Sequence, residues 1–140
     1  MSQYMIAKWN GVVAPDDTVY HLGDIAFIND PFLLKGLIDR LNGKIIMTIG
    51  NHDRMTVAKY AQAGITAYRE PIVYKDEYLL SHRPMFGDNL RGYAKNVHGH
   101  THNNPDTPTD RLHVCVSVEL IDYTPVTIEE IERRFNAKRD

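Results

Sequence analysis

Four times along this chain an apolar run stops abruptly at a small polar cluster. Gly23-Asp24 follows Thr18 to Leu22, Gly50-Asn51-His52-Asp53 follows Lys44 to Ile49, Ser81-His82 follows Tyr78 to Leu80, and Gly99-His100-Thr101-His102 follows Asn96 to His98. Short apolar runs bounded by turn residues read as strands. In open α/β sheets the ligand groups gather at the carboxyl ends of the strands. If these strands are neighbours, all four clusters therefore meet at one edge of the fold.

Helical patterns lie between the runs. Met5, Ile6, Trp9, Val12 and Val13 recur at helical spacing until the turn at 14 to 17. Phe32 to Leu41 is helix-like, with Pro31 near its start and Asn42-Gly43 just past its end, and Arg54 to Ala63 closes at Gly64. Ile72 to Tyr74 and Tyr78 to Leu80 flank Lys75-Asp76-Glu77 as a hairpin. Residues 85 to 94 read as a polar loop, Leu112 to Val118 as a further strand, and Thr127 to Glu130 as a capping box opening the last helix. The expectation is a single α/β layered domain of mixed sheets over residues 1 to 140. With 43% hydrophobic and 24% charged residues, the chain has the composition of a globular protein, which excludes disorder.

Charge narrows the function classes. Sixteen Lys plus Arg against 18 Asp plus Glu give a formal charge of -2, so no global field recruits nucleic acid or an anionic membrane. No stripe of aromatic residues interleaved with basic ones appears, which disfavours a nucleic-acid-binding module. No apolar stretch approaches the roughly 20 residues of a membrane span, and no secretory signal pattern is present. Cys115 is the only cysteine and has no intrachain disulfide partner, which fits a reducing, cytoplasmic setting.

Each cluster taken alone has a plain structural reading. Asp24 suits a turn, Asp53 could cap the following helix, and His82 could be a polar strand-end residue beside a proline turn. His100 and His102 are harder to dismiss, because residues two apart in an extended segment project to the same side. Together the clusters supply a carboxylate, an amide oxygen and several imidazoles. That donor set suits Mn, Fe or Zn better than Ca or Mg. His98 is readable as a support for a ligand or as a satisfied strand-end histidine, and His21 and His113 as packing or surface residues.

In this order and setting, the four clusters resemble the calcineurin-like metallophosphoesterase superfamily, over a span from Trp9 to the C-terminus. Trp9-Asn10, Pro15 to Phe27 and the tail from Val116-Ser117-Val118-Glu119 to Ile131 look like its small phage and bacterial members without a cap domain. The resemblance implies a four-layer αββα sandwich with a two-metal site at the strand ends, hydrolysing phosphate esters. It implies that Asp24 bridges both metals, that Asn51, His82 and His100 complete one site, and that His102 serves the other. It makes His52 the general acid. Asp53, its neighbour, would orient the imidazole and raise its pKa. Arg54 and Arg83 are candidates for holding phosphate oxygens, though a solvated surface arginine is the commoner case.

One element of the family pattern has no counterpart. Its members open with a strand ending in Asp-x-His, and here no aspartate is followed two positions later by histidine. Relative to that pattern the chain reads as truncated at its N-terminus. The expectations that follow are one firmly bound ion rather than two, reduced turnover, and self-association to cover the region beside the absent strand. The substrate would be a small phosphate ester or a nucleic-acid end. The rival expectation is a catalytically inactive metal-binding domain, or a fragment needing a separate N-terminal segment.

Overall fold

Parallel strands need a crossover between them, and the alternation of helix and strand in the first half of the chain supplies one each time. The computed structural model describes residues 3–23, 29–50, 53–93, 95–99, 112–116 and 125–137. Within them α1 (Gln3–Val12) leads to β1 (Thr18–His21), α2 (Pro31–Ile38) to β2 (Lys44–Thr48), and α3 (Val57–Gln62) to β3 (Ile65–Tyr68). These strands form a parallel sheet in the order β1-β2-β3, with Tyr20 level with Ile46 and Ile46 with Thr66. A second sheet has the order β4 (Ile72–Tyr74), β5 (Tyr78–Ser81), β6 (Lys95–His98), β7 (His113–Cys115). Its first pair is antiparallel and the others are parallel. Helix α4 (Ile128–Ala137) closes the described chain. The α/β sandwich expected from the sequence is thus present, with one sheet parallel and the other mixed.

Local chemistry explains the element ends. Pro31 opens α2, and the Asp30 side chain accepts from the Phe32 N–H at 2.8 Å. Thr56 caps α3 through the Lys59 N–H at 3.2 Å, which starts that helix three residues later than the sequence pattern suggested. Lys75 and Asp76 both take positive φ, 53° and 54°, as a tight hairpin between right-twisted strands requires. At α4 the Thr127 hydroxyl accepts from the Glu130 N–H at 3.2 Å. The Glu130 carboxylate turns instead to Arg133 and Arg134.

Two apolar clusters hold the layers together. The first sets Ile6, Trp9 and Val13 at α1, Leu34 and Ile38 of α2 and Tyr60 of α3 against Ile45, Met47, Ile65 and Ala67 of the parallel sheet. In the second, Tyr20 and Leu22 meet Leu80, Val97 and Val114 of the mixed sheet together with Ile131 and Phe135 of α4. Polar bonds tie α1 to the turn before β2. Asn10 donates to the Arg40 carbonyl and accepts from the Asn42 N–H, both at 2.8 Å, and the Trp9 indole donates to the Asn42 carbonyl at 2.9 Å. Among the described residues no helix is long and apolar enough to cross a membrane.

The other face of the mixed sheet is polar and yet buried: Ser81, Asn96, His98 and His113 are all almost fully enclosed. Asn96 donates to the Leu79 carbonyl and the Ser81 hydroxyl and accepts from the Met85 N–H. His113 donates through Nε2 to the Met85 carbonyl at 2.6 Å. The segment after β5, which includes a single 3-10 turn at Gly87–Leu90, is thereby fastened over that face.

Candidate metal centre

The site begins at the end of β1. The Gly23 N–H donates to His21 Nδ1 at 3.2 Å, and the chain turns at Gly23 with φ +98°, a conformation that favours glycine. Space requires glycine here as well. A β-carbon on Gly23 would lie 2.5 Å from His82 Nδ1 and 2.7 and 2.8 Å from Gly50 Cα and N. The ends of β1, β2 and β5 therefore touch. Gly99, at the end of β6, joins them. Its N–H lies 3.3 Å from the Ser81 carbonyl and 3.1 Å from that of His82, and a β-carbon on it would lie 3.6 Å from the Leu22 carbonyl.

His82 links the two sheets. Its ring is buried, and Nδ1 lies 2.7 Å from the Leu22 carbonyl. A carbonyl oxygen only accepts, so Nδ1 carries the proton and Nε2 is the basic nitrogen of the neutral ring. Metal-binding imidazoles are commonly held this way, with one nitrogen on a carbonyl and the other presented to the ion.

Asp53 shapes the neighbouring turn. Its Oδ2 accepts from the Gly50 N–H at 2.8 Å, and its own N–H donates to the Gly50 carbonyl at 3.2 Å. The Asp53 side chain and main chain thus both bond back to Gly50. Tyr60 packs nearby, and burial first, then the charge of Asp53, pushes its phenol above the ordinary value.

Of the predicted site residues, His82 and Asp53 are described. Asp24, Asn51, His52, His100 and His102 lie outside the described residues. The structure does bring together Gly23, Gly50 and Gly99, each of which immediately precedes one predicted ligand in the sequence: Asp24, Asn51 and His100. Among the described residues no group of three or more His, Cys, Asp or Glu side chains gathers as a metal cage. Arg54 and Arg83 are exposed. The described part supplies one member of the expected donor set, the buried His82 imidazole, oriented by a carbonyl where four strand ends meet.

No family model matches the chain. The uncharacterized protein MJ1445 of Methanocaldococcus jannaschii is 32% identical over 137 residues, spanning 94% of this chain and 73% of the archaeal one. The crystal structure of AQ665 from Aquifex aeolicus, a protein of unknown function, superposes with a TM-score of 0.67. That alignment covers 92% of this chain and 82% of the other at 24% identity, a likeness of fold alone.

Proposed function

The chain belongs to the family of the archaeal protein MJ1445, and from the strand-end geometry around His82 we propose that it is a metal-dependent hydrolase of phosphate esters of the calcineurin-like type. The observation that supports this reading most is the meeting of Gly23, Gly50, His82 and Gly99, which brings to one place the chain positions next to Asp24, Asn51 and His100. In this reading Asp24, Asn51, His82 and His100 hold one divalent ion, Mn, Fe or Zn, and His102 serves a second position beside the Asp24 bridge. The substrate is a small phosphomonoester or phosphodiester or a nucleic-acid end, and the setting is cytoplasmic, in keeping with a single unpaired cysteine position.

A bound divalent cation would polarise a phosphoryl oxygen and make a water molecule more acidic. The chain's own residues do the rest. The Leu22 carbonyl fixes the His82 ring through Nδ1, so in this reading Nε2 is the nitrogen that serves the ion. Asp53 holds the Gly50 N–H through its carboxylate at the end of β2. As the water oxygen bonds to phosphorus and its proton passes to solvent, the ester P–O bond breaks, and His52 gives its own proton to the leaving oxygen. The products are a phosphate and an alcohol.

The test measures Mn2+ uptake by isothermal titration and hydrolysis of bis-p-nitrophenyl phosphate with Mn2+ present. Wild-type chain should bind and turn over. His82→Ala should lose binding, and His52→Ala should keep binding while losing turnover by about 10²- to 10⁴-fold. Binding without any turnover in the wild type would favour a non-catalytic metal domain. No uptake of Mn2+, Fe2+ or Zn2+ would refute both.

A further inference from the structure

Glycine leaves its carbonyl free to swing, because without a β-carbon its ψ is barely restricted. At Gly99 that freedom matters, since its carbonyl belongs to the peptide unit shared with His100. The N–H side of Gly99 is already fixed on β5 by the Ser81 and His82 carbonyls. On the other side, His98 Nδ1 lies 3.1 Å from the Gly99 oxygen. A carbonyl accepts only, so Nδ1–H donates and holds the peptide in one orientation.

We infer that His98 is a positioning residue for the candidate centre: by holding the Gly99 carbonyl, it sets the direction in which the chain passes from β6 into His100. The inference rests on the metal-centre reading given above. His98 is 0% exposed, level with Ser81 on β5 and Cys115 on β7 in the middle of the mixed sheet. Among the described residues its Nε2 has no hydrogen-bond partner. Burying such a nitrogen costs free energy that an apolar side chain would not. Packing alone therefore gives no reason for histidine at this position, whereas a short-range N–H donor aimed at the next residue's carbonyl does. His113 supports the arrangement. Its ring meets that of His98 edge-on, centroids 5.9 Å apart, and is itself anchored on the Met85 carbonyl.

Asparagine and glutamine separate the two ring nitrogens, because the Asn amide nitrogen falls near the place of Nδ1 and the longer Gln places its own near Nε2. Mn2+ affinity is read by electron paramagnetic resonance for wild type, H98N, H98Q and H98L, with the fold of each checked by circular dichroism and thermal melting. H98N should bind within about threefold of wild type, and H98Q and H98L about 10- to 100-fold more weakly. A merely structural role would not rescue Asn above Gln. Equal affinity for H98L and wild type, or an H98N as weak as H98Q, overturns the inference while leaving the centre standing. Should H98L fail to fold, the Asn and Gln pair decides alone. A wild-type chain that takes up no Mn2+ sinks the centre and this inference together.

Discussion

Replacing Gly23 by alanine tests the meeting of the strand ends directly. The added carbon would sit 2.7 and 2.8 Å from backbone atoms of Gly50 and 2.5 Å from His82 Nδ1, all closer than real contacts allow. Two costs follow. A left-handed backbone costs an L-residue about 1–2 kcal/mol, and forcing extra volume into a packed place costs about 1–3 kcal/mol. Neither neighbour can give way cheaply, because the Gly50 N–H is held by Asp53 and the His82 ring by Leu22. We therefore expect Gly23→Ala to lower stability in urea by about 2–5 kcal/mol and to weaken Mn2+ binding. Gly36→Ala is the control: this glycine lies inside α2 with nothing within 4 Å of an added β-carbon. There alanine should stabilise by about 0.5–1 kcal/mol. A Gly23→Ala protein within about 0.5 kcal/mol of wild type would refute the close approach of β1, β2 and β5.

Two further outcomes follow from polar groups, the half-buried Asn10 and the buried Tyr78. Asn10→Ala removes the two bonds that Asn10 makes to the turn before β2 and leaves the Asn42 N–H without that acceptor, so urea denaturation should show a loss of about 1–3 kcal/mol; Asn10→Asp, which keeps the acceptor and loses the donor, should fall between. Tyr78 is pushed up from 10.0 to about 12 by burial first, then by the negative charge of Glu77 and Glu132. The unfolded chain therefore ionises this phenol first, so the stability it contributes is whole below pH 10 and declines as pH rises toward 12. Tyr78→Phe should flatten the alkaline part of the stability profile, and an unchanged profile would remove Tyr78 as its cause.

The elements that the sequence made legible are those whose signal is local. Pro31 behind Asp30, Thr127 three residues before Glu130 and the Lys75-Asp76 turn all act within four residues, and each stands where the pattern placed it. Strand β3 was passed over, although Ile65 and Ala67 point inward while Thr66 and Tyr68 point out. Four residues directly behind a helix-ending glycine are too few for the alternation to stand out from a loop. The buried face of the mixed sheet was hidden for a different reason. Asn96 carries no polar role in the sequence reading and His113 only a packing or surface one, because their partners, the carbonyls of Leu79 and Met85, are 17 and 28 positions away. No window along the chain contains both halves of such a bond.

The candidate centre was legible in part for the same reason inverted. Each glycine before a polar residue marks a strand end locally, but convergence was argued on the condition that the strands be neighbours. The structure meets the condition only pairwise: β1 adjoins β2 in one sheet, and β5 adjoins β6 in the other. What joins the pairs is the packing of one sheet against the other, with the Leu22 carbonyl and the His82 ring as the link across the gap. An ion held by Asp24 and Asn51 after one sheet and by His82 and His100 from the other would then cross-link the sandwich itself. Binding to the folded chain alone would add stability by mass action, about 2.7 kcal/mol at a hundredfold excess over Kd. That stabilisation should vanish together with the inter-sheet contact in Gly23→Ala, which ties the centre to the fold through one hydrogen bond and one missing β-carbon.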